Sequence, residues 1–410
     1  MRLTGIRVGA QPFPWARSRL IPSGGTSPGI LLVTERLQSS GIAQVVATKA
    51  TWLARRGHRV QVLSWTIATH LSGHPNPLLE ALAGGGVPVS DLLALRGRGR
   101  LLRRALRLRE IALRENFPVV VGHGLMGSLL AVLAKLFSGG RLRAVLELHS
   151  DPASYAREFN PTVCRLSRLL VRRADAILAV SAGVRRDSAR YFGLEPERVE
   201  TVHNPISIDR VRRLAAEDAP SLGTLGSFIL GMGRLQDSKR FPDLIRAFAL
   251  VRARLPLKLV ILGDGPSHES LLRCAREAGV GADVLLPGFV PNPFPYLARA
   301  GAFALASEVE GFSLVLMEAL ACGTPVISSR CHWGPEEVLM DGKCGLLHEV
   351  GDVEGLAAGL LRILSEPGET AQRVDAGLRR IEDFSEEAIM ERVERLYLGP
   401  YRNAGTPAGA

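Results

Sequence analysis

The chain has 410 residues, 46% of them hydrophobic and 22% charged, which is long enough for two domains with a core each and too apolar for a disordered chain. Its formal charge of +11 is unevenly placed: residues 1–206 carry 29 basic and 13 acidic side chains and the remainder 22 and 27, so an anionic partner is expected to meet the first half. Aromatic residues make up only 5% and are sparse among those arginines, which argues against a nucleic-acid module built on stacked bases and leaves a non-enzymatic basic binding protein as a minor alternative.

Residues 1–28 are basic and rich in Pro, Gly and Ser, without a continuous apolar stretch, and read as an extension and not a signal peptide. Ile30 to Thr34 reads as the first strand, Glu35 to Ile42 as a loop, and the following helix runs to Arg56, where Gly57 caps it and a second strand starts at once. Val119 to Ala134 is apolar but contains His123 and three glycines and stops at Lys135. That is short of the roughly 18 to 20 residues of a membrane span, so it reads as strand, turn and helix. Further strands are expected near 119–121, 144–149 and 176–180, an alternation that predicts a parallel, doubly wound sheet whose ligands bind beyond the carboxyl ends of strands.

Two stretches of this half sit at such ends. Ser39-Ser40-Gly41 precedes a helix and reads either as a cap or as part of a site. His149 ends an apolar strand, is followed by Ser150-Asp151, and is expected to point at the cleft; His123 is expected to line it. Arg96 to Arg114 reads as an amphipathic helix with Leu101, Leu102, Ala105, Leu106, Leu108, Ala112 and Leu113 on one face and Arg103, Arg104, Arg107 and Arg114 on the other. A strand Val199 to Val202 leads to His203-Asn204-Pro205, and the polar Ala215 to Gly226 reads as a linker.

A second sheet is expected to begin at Phe228 to Met232. Gly233, Arg234 and Lys239 follow in a loop ahead of a helix Pro242 to Arg252. Two cations there either are simply solvated or clamp a diphosphate, the Arg as a fork and the Lys as a point charge. Gly263-Asp264-Gly265 is a lone G-x-G and weak evidence for a dinucleotide. Val284 to Leu286 ends in Pro287-Gly288-Phe289-Val290. The centre of this half is AFALASEVEGFSLVLMEALACGTPVISS, residues 302–329, one complete strand, helix, turn and strand. Glu310 and Gly311 lie just ahead of its helix, where free N–H groups and the positive dipole end attract anions. Glu318 sits in a segment apolar on nearly every side, where a carboxylate is costly unless something bonds it: an Arg or Lys of the fold, or a ligand. One carboxylate stands before the anion site and one about 7 Å up the helix, the layout of sugar, diphosphate and ribose in a nucleotide-sugar. Five cysteines make no C-x-x-C pair, so no zinc or thioredoxin motif is indicated and a reduced, cytoplasmic compartment fits. Phe384 to Leu398 has the spacing of a final amphipathic helix.

E-G-F-S-L-V-L-M-E with the A-x-G-T-P-V-I continuation resembles the E-x(7)-E signature of family 4 retaining glycosyltransferases. The G-R-x(4)-K of residues 233–239, H-N-P-I-S-I-D of 203–209 and G-P-E-E-V-L-M-D-G-K-C-G of 334–345 fall in family order, and the N-P-I-S-I-D variant is similar to that of bacterial N-acetylhexosamine transferases. The resemblance implies an α/β GT-B fold of two Rossmann-like domains. These are an acceptor-side domain over 29–206 with a crossover helix 384–398, and a nucleotide-sugar domain over 207–383, followed by a tail 399–410. It implies that Glu310 contacts the donor sugar, Glu318 the ribose, Arg234 and Lys239 with Gly233 the diphosphate, and Gly311, Phe312, Ser313 and Leu314 the phosphate end. It further places Gly288, Phe289 and Val290 at the nucleobase, Gly41 near the donor phosphates and His149 at the sugar and acceptor. Only one glycine of the family's usual pair remains at Gly41, and Ser150 interrupts the family's His-Asp. The implied activity is metal-independent transfer from a UDP-linked sugar to a glycan or lipid-linked acceptor at an anionic membrane surface. No flanked D-x-D is present, and no carboxylate is assigned as a covalent nucleophile. A same-fold epimerase or phosphorylase is the alternative within the fold.

Overall fold

The computed structural model describes residues 28–38, 40–71, 73–92, 99–150, 160–219 and 225–399, together with 152 and 223. Two parallel sheets make the frame. The first takes strands β1 (Ile30–Thr34), β2 (Val60–Ser64), β5 (Val89–Asp91), β6 (Val119–His123), β7 (Arg143–Leu148), β8 (Ala176–Ala179) and β9 (Glu200–Thr201) in the order β5-β2-β1-β6-β7-β8-β9. A small antiparallel pair, β3 (His70–Leu71) and β4 (His74–Pro75), stands outside it. The second takes β10 (Phe228–Met232), β11 (Lys258–Leu262), β12 (Val284–Gly288), β13 (Ala302–Leu305), β14 (Val326–Ser329) and β15 (Leu346–His348) in the order β12-β11-β10-β13-β14-β15.

Both orders place the first strand of a unit in the middle and reverse direction beside it, between β1 and β6 and between β10 and β13. Those are the switch points where doubly wound sheets open a crevice at their carboxyl ends. The physical origin is visible in the strands: β1, β2 and β10 are buried along their whole length, as parallel strands covered by helices on both faces must be. The sheets turn their carboxyl ends toward each other, giving the GT-B architecture.

The final helix, Glu386–Leu398, leaves the second domain and packs on the first. Met390, Val393 and Tyr397 are fully buried with Ile30, Val60 and Val119. Arg55 and Glu386 (2.6 Å) and His58 and Glu394 (2.5 Å) tie its outer edge to the first domain.

The helix Arg100–Arg114 departs from the expected two-faced pattern. Ala105, Leu108, Ile111 and Ala112 are buried, but Leu102 and Leu106 are 50% and 43% exposed. The apolar stripe is narrower than drawn from sequence, because a helix lying on a sheet buries only the side over its neighbours. Nor are the arginines simply outward: Arg104 lies over Trp65 at 5.0 Å from the ring centre, and Arg107 pairs with Glu110 at 2.7 Å. Residues 96–98 of that segment, Ser39, Asp151, residues 1–27 and 400–410, and 220–222 and 224 of the linker lie outside the described residues. The helix Ile208–Ala215, just ahead of the linker, was not anticipated.

Candidate active site

The loop after β13 carries Glu310 into the crevice. Its Oε1 accepts from Lys239 Nζ at 2.6 Å and from Ser307 Oγ at 2.7 Å. The backbone around it is pinned to the loop after β14: Glu310 N donates to His332 O (2.9 Å) and Trp333 N to Glu310 O (3.0 Å). Lys239 closes the single 3-10 turn Asp237–Lys239 that follows β10, so two strand ends bring a carboxylate and an ammonium together beside the switch point. Both are mostly shielded, and a charge-assisted bond there holds the loops for about 1.5–3 kcal/mol. Arg234 is exposed on the same loop. Gly233 precedes it at φ +153, and the strand end beside it must be glycine: a Cβ on Gly263 would stand 2.0 Å from Gly233 O.

The helix Leu314–Ala321 begins beside this pair with no acid in its first turn. Ser313 sits at its cap position, yet its hydroxyl caps nothing and is buried without a partner. Free N–H groups, the dipole's positive end and an unspent buried hydroxyl together make a cradle for an anion. Phe312, also buried, stacks on His203 (4.8 Å between ring centres) and meets Phe384 edge-on (5.1 Å). Asn204 Nδ2 donates to Phe312 O at 3.3 Å. Gly41 faces Leu314 across the crevice, and Ser40 caps its helix by accepting from Ala43 N. Gly288, Phe289 and Val290 end β12, the edge strand, with Gly288 at φ +85 and its carbonyl accepting from Gly263 N at 2.9 Å. They stand two strands from β10 and are half-buried.

Glu318, 4% exposed, points from the same helix at the first domain. Gln44 Nε2 donates to its Oε1 at 2.6 Å. Burial pushes its carboxyl up to about 7, with Gln44 and the Arg210 guanidinium opposing the rise. The partner foreseen as an Arg or Lys of the fold is thus a neutral amide, with Arg210 contributing only through its field. Gln44, Thr48, Ser207, Arg210 and Glu318 line a cavity of about 70 Å³. That is small against the roughly 300 Å³ or more of a typical small-molecule site.

On the first domain His149 follows β7. Its carbonyl lies against Gly311: a Cβ added there would come within 1.8 Å of His149 O, so glycine is what lets the two sheets' ends touch. The Nε2 edge of the ring turns inward, 3.1 Å from His123 Nδ1 and 3.5 Å from Glu147 Oε2. Glu147 is the hub of a buried cluster that sequence reading missed: Lys49 Nζ donates to both its oxygens (2.7 and 2.8 Å), Tyr397 Oη to Oε1 (2.6 Å), and His123 Nδ1 lies 3.2 Å from Oε2. The signal was available. Lys49 interrupts an apolar helix and Glu147 an apolar strand, two opposite charges in segments both too apolar to face water. Burial is the main influence on His149, lowering it to about 4 and keeping the ring neutral; burial also raises Glu147, but the Lys49 ammonium, with His123 and His149 beside it, holds that carboxyl well below the usual range. His123, Glu147 and His149 have ligating atoms close enough for one divalent ion, but the Lys49 ammonium already supplies the positive charge at both Glu147 oxygens.

This arrangement brings Glu310, Lys239, Ser313 and Gly311 against His149 at the meeting of the two sheets, with Arg234 and the Gly288–Val290 edge on the second domain's side. It defines a GT-B protein with a crevice between its two domains. The sequence profile "Glycosyltransferase Family 4" matches residues 39–210 and "Glycosyl transferases group 1" matches residues 222–380. The chain belongs to the family 4-like glycosyltransferases. It is 37% identical over 240 residues to the Campylobacter jejuni N-acetylgalactosamine-N,N'-diacetylbacillosaminyl-diphospho-undecaprenol 4-alpha-N-acetylgalactosaminyltransferase, covering 58% of this chain and 64% of that protein, just under two thirds. It is 28% identical over 375 residues to the Bacillus anthracis N-acetyl-alpha-D-glucosaminyl L-malate synthase, covering 89% and 96%. Among solved structures, Anabaena HepE in complex with UDP and glucose superposes with a TM-score of 0.76 at 19% identity, over 91% of this chain and all of that one, which shows the shared fold.

Proposed function

We propose that this chain is a retaining, metal-independent glycosyltransferase. In this reading it moves a sugar, with an N-acetylhexosamine favoured, from a UDP-linked donor to a glycan or lipid-linked acceptor in surface polysaccharide synthesis. The observation that carries it is the convergence of Glu310 and Lys239 with the uncapped, Ser313-led end of the helix Leu314–Ala321, directly against His149 of the other domain. A diphosphate fits the cradle, Lys239 and Arg234 offset the leaving charge, and Glu310 stands one loop ahead, at the sugar. Glu318, buried beside Gln44 and facing a small cavity with Thr48 and Ser207, suits neutral hydroxyls such as those of a ribose. In this reading the departing phosphate, held between Lys239 and the helix end, takes the acceptor's proton in a same-face attack.

The relatives favour envelope chemistry: the Campylobacter protein's name gives a diphospho-undecaprenol acceptor, and a Salmonella typhimurium relative, 32% identical over 218 residues, is a lipopolysaccharide 1,6-galactosyltransferase. Such acceptors are membrane-bound. Among the described residues no helix is long and apolar enough to cross a membrane, so the proposed placement is peripheral, on the cytoplasmic face.

The test is purified protein with a panel of UDP-sugars and polyprenyl-diphosphate-linked acceptors, read by donor loss and product mass. A product heavier by one glycosyl unit, with the anomeric configuration kept and EDTA without effect, is expected. An epimerised sugar without acceptor would replace the transferase reading with the epimerase one.

A further inference from the structure

The cluster around Glu147 is larger than a strand needs. Lys49, His123, Glu147 and Tyr397 are at most 1% exposed, and His149 is 7% exposed. They come from four elements, the helix Gly41–Arg55, β6, the end of β7 and the final helix. Three neutral polar groups and two charged ones are costly in such a place unless each is bonded.

Hydrogen placement can be argued atom by atom. His123 Nε2 is buried without a partner. Were it the protonated nitrogen, an N–H would be buried unpaired, and the bare Nδ1 would face Glu147 Oε2 at 3.2 Å with two lone pairs opposed. The proton therefore belongs on His123 Nδ1, where it is shared between Glu147 Oε2 and His149 Nε2 at 3.1 Å. The separation of His149 Nε2 from Glu147 Oε2, 3.5 Å, is longer than the roughly 3.2 Å upper end of N–H···O bonds. A second hydrogen on Nε2 would also collide with the one on His123. His149 Nε2 therefore accepts, and its hydrogen sits on Nδ1, the ring nitrogen nearer the backbone that touches Gly311.

We propose that Glu147 and His123 form a positioning relay that locks His149 as the Nδ1–H tautomer, presenting the crevice with a hydrogen-bond donor for a substrate oxygen, with Lys49 and Tyr397 holding Glu147 in register. His149 then acts by donation and not as a base, and the final helix, through Tyr397, helps fix a group on which transfer depends. This rests on the transferase reading.

The decisive measurement needs no substrate. In protein labelled with ¹⁵N-histidine, long-range ¹H–¹⁵N correlation, assigned by loss of signals in His149→Gln, should show a protonated Nδ1 and a bare Nε2 on His149 from pH 5.5 to 8. His123→Leu should let the two nitrogens average and lower kcat tenfold or more while KM for the UDP-sugar stays within about twofold, the signature of an interaction used after binding. His123→Asn, whose amide N–H replaces Nδ1–H, should restore both. Glu147→Gln alone would leave Lys49 charged and unpaired in the interior and could unfold the domain. The double variant Lys49→Met with Glu147→Gln and the single variant Tyr397→Phe replace it, and each should move the His149 signals toward averaging. A His149 protonated at Nε2 in the parent protein would overturn the relay, as would His149 signals and kcat unchanged in His123→Leu. If the parent protein binds no UDP and transfers nothing, the transferase reading falls, and the tautomer measurement still decides the relay.

Discussion

Glu318 is the residue whose environment has the clearest consequence. Its carboxyl is raised from an ordinary 4.5 to about 7 by burial, so the folded, closed form holds a proton that the unfolded chain releases. Stability from this group is present below about pH 4.5 and is lost as pH rises toward 7, at about 1.4 kcal/mol per unit across that window. Glu318→Gln removes the titration while keeping a partner for Gln44. The variant should therefore gain on the parent in Tm between pH 5 and pH 8, by several degrees, and parallel Tm curves would refute the assignment. UDP affinity should fall in the same variant, since an amide accepts from ribose hydroxyls less well than a carboxylate. Glu310 differs, because its partner is Lys239. Glu310→Gln should lower transfer tenfold or more, yet leave UDP affinity undiminished by calorimetry, as Lys239 loses a competing anion. Lys239→Ala and Arg234→Ala should weaken UDP binding and turnover together.

Among elements, the two domains meet backbone to backbone at Gly311, where a Cβ would stand 1.8 Å from the His149 carbonyl oxygen. Gly311→Ala should hold the seam open by an ångström or more. The expected result is loss of transfer of at least tenfold with an unchanged far-UV spectrum and a larger radius of gyration by small-angle scattering; full activity would show that the seam is not the working geometry. That seam explains which parts of the architecture a reader of the sequence could see. The strands β1, β2, β6 to β8 and β10 to β14 announce themselves as short apolar runs closed by Gly, Pro or a polar residue, because both faces of a parallel sheet are buried, whereas β3, β4 and β5 are two or three residues long and carry no such run. The segment 199–202 promised four strand residues and forms two, Glu200–Thr201, being an edge with one neighbour only. The helix Ile208–Ala215 was passed over since its charged residues resemble the linker beyond it; only Ile208 and Val211 are buried. Glu310, Lys239 and Ser313 could be picked out because each stands at a strand or helix end. Gln44, Arg210, Lys49, Glu147 and Tyr397 could not, because their meaning depends on pairings across more than 90 residues that no local spacing encodes.

At the scale of the whole molecule the +16 of residues 1–206 against −5 for the rest makes the first half the one that an anionic membrane would attract. The helix Arg100–Arg114 concentrates it. Arg104 sits within the field of Glu35 and Asp91, residues that follow β1 and end β5, so this helix begins at the carboxyl edge of the first sheet, on the side of the crevice. Leu102 and Leu106 are exposed there beside the exposed Arg100 and Arg103, a mixture of apolar and cationic side chains that water alone does not favour and a lipid headgroup layer does. Each basic residue near an anionic surface contributes about 1 kcal/mol, roughly fivefold in partition. Vesicles containing phosphatidylglycerol should therefore sediment the protein at low salt and release most of it at high salt, since screening shortens the reach of charge to a few ångströms. Arg100→Glu with Arg103→Glu should reduce low-salt binding by more than tenfold, and Leu102→Ser with Leu106→Ser should remove the fraction that survives salt. In both pairs, transfer to a short, water-soluble acceptor analogue should persist while transfer to the vesicle-borne acceptor falls. Equal loss on both acceptors would place these residues at the acceptor itself, and no sedimentation with anionic vesicles at low salt would leave a soluble acceptor as the substrate that the crevice serves.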